Sequence, residues 1–114
     1  MNINCIDHDA VTVVRPDSDR LDIAVASDFR NALLELIGNG RRYLVVDLKT
    51  VSFIDSSGLG ALVSALKTLK ANGGNGDVRL AHVQEPVVAL LEIIRLNRVF
   101  STYPSVENAV QSYS

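Results

Sequence analysis

The run Tyr43-Leu44-Val45-Val46-Asp47-Leu48 constrains the fold more than any other stretch of this chain. It is almost continuously apolar, too short for a helix, and follows the breaker Gly38-Asn39-Gly40. A strand with one wet face alternates apolar and polar residues, whereas one covered on both faces does not. Residues 43–48 are therefore expected to form a central strand with packed layers above and below. At 114 residues the chain is long enough for one such core and too short for two.

The flanking periodicities supply the layers. Residues 3–7 and 11–15 read as short strands joined by a hairpin loop at His8-Asp9-Ala10. Pro16 ends the second of them and Asp17-Ser18-Asp19 turns the chain. From Ser27 the apolar period changes, and Phe29, Leu33, Leu36 and Ile37 share one helical face. After the central strand, residues 51–54 remain extended. Leu59, Leu62, Val63, Leu66 and Leu69 then mark a second helical stripe, with Lys67 and Lys70 near the C-terminal end that favours cations. Asn72-Gly73-Gly74-Asn75-Gly76 stops this helix and reads as a mobile loop. Residues 77–83 predict another strand. Pro86 fits the first turn of a third helix, with Val87, Leu90, Leu91 and Ile94 inward. Val99 and Phe100 read as a short extended piece, and Ser105 as the cap of a last helix carrying Val106, Ala109, Val110 and Tyr113. The order predicts one α/β domain over residues 1–114, with a mixed, mostly parallel sheet of four to five strands and about four helices.

Charge and composition narrow the function. The net charge is −2 and the charged residues are interspersed, so no basic stripe exists for direct nucleic-acid binding. Cys5 is the single cysteine, which excludes an intrachain disulfide; its place in an apolar segment predicts a buried small hydrophobe. Neither His8 nor His82 has metal-ligand spacing around it, so no metal and no cofactor are expected. The first twenty residues do not resemble a secretory signal, and no apolar run approaches the roughly 20 residues of a membrane helix. A cytoplasmic protein without membrane insertion is the expectation.

Chemistry concentrates in Phe53-Ile54-Asp55-Ser56-Ser57-Gly58-Leu59-Gly60, which joins a buried strand to a helix start. Free amides and the positive end of the helix dipole meet there, and they favour an anion. Gly58 and Gly60 remove side-chain bulk, which leaves space for another protein to approach closely. A serine at this point can carry a phosphate, which adds about −1.5 to −2 charges to a contact surface. One alternative is that Ser56 and Ser57 are helix caps and no more. A nucleophilic serine is another, but no glycine stands two residues before Ser56 or Ser57 as in a nucleophile elbow. No Gly-Lys-Ser/Thr follows, so a Walker loop is excluded. Asp47 reads either as a local hydrogen-bond acceptor or as a support of the serine loop. Asp22, Asp55, Ser56, Ser57, Gly58 and Leu59 are expected on one exposed face that contacts a partner.

The run Leu44-Val45-Val46-Asp47-Leu48 followed by Phe53-Ile54-Asp55-Ser56-Ser57-Gly58-Leu59-Gly60 closely resembles STAS domains of the anti-sigma-factor-antagonist type. Arg79-Leu80-Ala81, Val83 and Pro86-Val87 resemble the family's approach to its third helix, and Tyr103-Pro104-Ser105-Val106-Glu107-Asn108-Ala109 its last helix. Asp19-Arg20-Leu21-Asp22 stands where the family often has Gly-Glu-Leu-Asp, and Arg95 where a glycine is usual. The resemblance implies a non-enzymatic bacterial partner switch in transcription regulation, with Ser56 phosphorylated and Asp22, Asp55, Ser57, Gly58 and Leu59 at the partner surface. It implies an anti-sigma factor that is also an ATP-using serine kinase as partner. The unphosphorylated form binds it and releases a sigma factor, and a protein phosphatase resets the switch. A STAS interaction module of another pathway, such as a sensor or lipid-transport complex, is the alternative. A serine hydrolase or nucleotide-hydrolysing enzyme is the outsider.

Overall fold

The computed structural model of the protein describes residues 1–114 except the side chain of Asn72. Strands β1 (Asn2–His8) and β2 (Val11–Asp17) form an antiparallel hairpin around Asp9-Ala10. The short β3 (Arg20–Leu21) leads into helix α1 (Ile23–Gly38), and β4 (Tyr43–Asp47) follows. Next come β5 (Phe53–Ile54), α2 (Ser56–Lys70), β6 (Asp77–Ala81) and α3 (Glu85–Ile93), then β7 (Thr102–Tyr103) and α4 (Val106–Gln111). The main sheet runs β1-β2-β4-β6-β7, antiparallel only between β1 and β2, while β3 and β5 form a separate parallel pair.

β4 is the central strand, and its unbroken apolar run follows from that place. Leu44 and Val46 point into a core shared with Phe29 and Leu33 of α1, Leu62 and Leu69 of α2, and Val87 and Leu91 of α3. Val45 points the other way, against Val11, Val13, Ala81 and Ala109 of α4. Each fully buried aliphatic side chain of this kind contributes about 1.5–3 kcal/mol. The last helix is tied down by polar interactions as well. The Tyr113 hydroxyl points at the carbonyls of Leu44 (2.8 Å) and Asp77 (2.9 Å) and shares its proton between them. Arg79 stacks 3.9 Å from the Tyr113 ring centre and donates to the Ser112 carbonyl at 2.7 Å. Burial pushes the Tyr113 phenol well above its ordinary pKa, so the hydroxyl keeps its proton.

Several elements differ from the sequence expectation. β2 continues through Pro16 to Asp17, because its pairing with β4 ends at Val14 and no ladder partner there needs an N–H from Pro16. α1 starts at Ile23 rather than near Ser27, since Asp22 caps it. Cys5 is exposed on the edge strand β1; the alternation of that segment does not bury it. Partial burial nonetheless raises its thiol pKa. The strand at 77–83 stops at Ala81, where His82 takes a positive φ of 55°. Leu96–Arg98 form a 3-10 turn, so the extended piece falls at Thr102–Tyr103 instead of Val99 and Phe100. After α2 the glycine-rich segment opens with a 3-10 turn, Ala71–Gly73, and Gly76 sits so tightly that a Cβ would lie 2.4 Å from the Arg42 carbonyl oxygen.

Candidate functional site

The small β3–β5 pair organises the site. Arg20 lies beside Phe53 and Leu21 beside Ile54, so the residues that follow each strand, Asp22 and Asp55, emerge together at the starts of α1 and α2. Asp22 accepts from the Ala24 N–H at 3.1 Å. Asp55 does more. Its Oδ1 accepts from the N–H groups of Ser57 (2.9 Å) and Gly58 (3.0 Å), and its Oδ2 accepts from the N–H of Ile23 at 3.1 Å. One carboxylate therefore satisfies unpaired amides of two helices, where the dipoles favour a negative charge. The Asp55 N–H in turn donates to the Leu21 carbonyl at 3.2 Å.

This places Ser56 at the first position of α2, outside the cap. It is exposed, and its hydroxyl has no hydrogen-bond partner among the described residues. Ser57 is half-buried behind it. Neither serine is a cap, because the Asp55 carboxylate takes that role and holds the amides a serine would have capped. Gly58 and Leu59 depart from the expected exposed face: both are buried, Leu59 at 4% exposure. A Cβ on Gly58 would stand 2.1 Å from the Leu21 carbonyl oxygen and 2.8 Å from Ile54 Cγ1. Gly58 is thus a packing glycine, where the start of α2 crosses β3 at near contact. Asp22, Asp55 and Ser57 lie partly exposed around Ser56, and Gly58 and Leu59 support it from beneath.

The other candidates fall away from Ser56. Asp47 is fully buried, accepting from Arg15 Nε at 3.0 Å and from the Lys49 N–H at 3.0 Å, so it is a local acceptor and not a support of the serine loop. His8 ends β1 and His82 follows β6; no hydrogen bond joins either to Ser56 among the described residues. Among the described residues no cluster of three or more metal-ligating side chains occurs, and no helix is long and apolar enough to cross a membrane.

Beside Ser56 runs a groove of about 470 Å³ that the motif alone did not announce. Phe53, Ile54 and Ser56 form one wall, and Pro86, Ala89, Leu90 and Ile93 of α3 the other. Phe53 is 50% exposed, Ile93 77%, and Ile23 nearby 78%. The available signal was α3 itself. Its residues are apolar around most of the circumference, Val87 and Leu91 inward and 86, 89, 90 and 93 on an adjoining stripe, so one buried face cannot account for them.

The sequence profile of the STAS domain family matches residues 2–109. The chain belongs to the STAS domain family. Among curated relatives it is 32% identical over 91 residues to the anti-sigma-B factor antagonist of Bacillus subtilis, covering 80% of this chain and 81% of that one. It is 31% identical over 104 residues to the anti-sigma F factor antagonist of Paenibacillus polymyxa, covering 90% and 86%. An anti-sigma factor antagonist from Mycobacterium paratuberculosis shares the fold, with a TM-score of 0.83 at 24% identity over 97% of this chain and 92% of that one. The four helices and the mostly parallel five-stranded sheet of this STAS domain agree with the expected fold class.

Proposed function

We propose that this STAS domain is an anti-sigma factor antagonist, a cytoplasmic binding switch controlled by phosphorylation of Ser56. The observation that carries the reading is an exposed, unengaged serine hydroxyl on a helix start held by Asp55 and bordered by an apolar groove. Large apolar groups left in water beside a modifiable hydroxyl suit a docking surface. The unphosphorylated form binds an anti-sigma factor that is also an ATP-using serine kinase, and so frees a sigma factor. A protein phosphatase restores the binding form. The names of the relatives support this role.

The charge logic follows from the cap. The N–H groups of Ser57 and Gly58 already hold Asp55, so they are not available to neutralise a phosphate on Ser56. Such a phosphate projects its charge beside Asp55 into the partner's path, where about 1.4 kcal/mol of repulsion already costs tenfold in affinity. Phosphorylation breaks no side-chain hydrogen bond of the domain, because the Ser56 hydroxyl holds none. The test is mass spectrometry after incubation with ATP and the anti-sigma factor kinases of the same genome. Ser56→Ala should bind and resist labelling, with stability changed by less than about 0.5 kcal/mol; Ser56→Asp should bind at least about tenfold more weakly. Phosphate on Ser57, or equal binding by the phosphorylated form, would refute the assignment.

A further inference from the structure

The charges around Ser56 do not have equal freedom to meet a partner. The face looks acidic in sequence, with Asp19, Asp22 and Asp55 on it. Both oxygens of Asp55 hold backbone amides and Asp22 uses Oδ1 on Ala24, while Asp19 is exposed and reaches only Arg20, at 3.7 Å. Arg20 is different. Its side chain is 57% exposed and lies 5.8 Å over the centre of the Phe53 ring, the same ring that walls the groove. Its nearest carboxylates, Asp19 and Asp22, stand at 3.7 Å, beyond the range of a charge-assisted hydrogen bond. A planar guanidinium with five donors, held over an aromatic face and short of strong acceptors, is a pre-ordered receptor for a carboxylate.

We infer that Arg20 determines partner choice by pairing with a carboxylate of the partner whose neighbouring aliphatic side chain enters the groove between Phe53 and Ile93. This deepens the proposed function and rests on it, taking the kinase that labels Ser56 as the partner. Two features fit the occupant. Ser52, Asp55 and Ser56 line one side of the groove, and the rest of its wall, Phe53, Ile54, Pro86, Ala89, Leu90 and Ile93, is apolar, so the span between Phe53 and Ile93 suits an aliphatic group. Arg20, stacked on the Phe53 ring that walls the groove, is placed to pair an acid that arrives beside that ring, and an acid left unpaired in a closed interface is strongly penalised. Partners presenting a lysine or arginine at that point are rejected by the same cation, which is selection by repulsion as well as attraction.

The experiment is calorimetric titration of the unphosphorylated domain with the kinase shown to label Ser56, at low and at high salt. Arg20→Gln should weaken binding by about tenfold or more, Arg20→Glu further, and the deficit should shrink as salt rises. Arg20→Lys should recover part of the loss, keeping charge without the bidentate geometry. Replacing acidic residues of the kinase surface one at a time by lysine should yield one variant that binds Arg20→Glu better than it binds the wild type. Circular dichroism checks that each variant is folded; Arg20 is exposed and its ion pairs are weak, so folding should persist. Unchanged affinity for Arg20→Glu, with wild type binding normally, overturns the inference and leaves the proposed function standing. Failure of the wild type to bind any such kinase defeats the proposed function, and this inference with it. An effect of Arg20→Gln confined to the Ser56-phosphorylated form would also overturn it, because the guanidinium would then serve the phosphate.

Discussion

Replacing Gly58 with alanine should destabilise the domain by about 2–3 kcal/mol, although helix propensity favours alanine. The methyl carbon would sit 2.1 Å from the Leu21 carbonyl oxygen, 2.8 Å from Ile54 Cγ1 and 2.9 Å from the Leu21 carbonyl carbon. Two of those three atoms are backbone, so no rotamer change relieves the clash. Ordinary contact demands roughly 1.3 Å or more of extra separation from the Leu21 oxygen, which β3 and the start of α2 must supply by moving apart. Overpacking of this kind costs about 1–3 kcal/mol. The movement also strains the 3.2 Å bond from the Asp55 N–H to the Leu21 carbonyl, for about 1 kcal/mol more. Against this stands a stabilisation of about 0.5–1 kcal/mol from exchanging glycine for alanine in a helix. At roughly 4 °C per kcal/mol for a domain of this size, the melting temperature should fall by roughly 10 °C. Gly60→Ala is the matched control. It lies in the same helix, is exposed and has open space at the Cβ position, so alanine should stabilise by about 0.5–1 kcal/mol. Urea denaturation followed by circular dichroism reads both. Equal stability of wild type and Gly58→Ala, or losses of the same size at both glycines, would refute the close approach as the reason for Gly58.

Asp55→Ala removes three hydrogen bonds that join two helices and should cost about 2–3 kcal/mol in urea, against about 1 kcal/mol for Asp22→Ala, which removes one. Arg95 holds a left-handed conformation at φ 63°, so Arg95→Gly should raise stability by about 0.5–1 kcal/mol, visible as a higher melting temperature. The Asp7 carboxyl is held below its ordinary pKa, first by the Arg41 guanidinium hydrogen-bonded to it and then by the Thr12 hydroxyl. Its contribution to stability is therefore present above the ordinary value and lost as pH falls through the depressed one. Melting curves from pH 5 downward should fall less steeply for Asp7→Asn than for wild type below about pH 4.

How much of the molecule is legible in its sequence depends on whether a residue's role is local. The central strand can be read because burial on both faces leaves no alternation at Leu44, Val45 and Val46, and the third and fourth helices because Pro86 and Ser105 mark starts by their own chemistry. The start of α1 cannot be read from periodicity. Ile23 points into water at 78% exposure and so breaks the apolar pattern at the helix's first residue. The role of Asp55 as a double cap depends on residue 23, brought beside it by a two-residue strand pair too short to carry a pattern of its own. Gly58 reads as space for a partner because glycine chemistry is the same whether the missing Cβ faces water or a carbonyl. Cys5 shows the converse error: an apolar alternation on an edge strand predicts burial that no layer provides.

The carboxylate shared between α1 and α2 has a consequence for how anything can bind at Ser56. Association normally costs the ordering of loops and side chains at the interface, and that cost offsets much of the favourable energy of the complex. Here the backbone on both sides of the hydroxyl is ordered before the encounter, since one side chain pins residues 23, 57 and 58 together. A protein arriving at this surface meets a preorganised platform whose loss of freedom was met during folding. Small differences in charge or shape at the rim are then transmitted almost undiluted into affinity, with little backbone slack to absorb them.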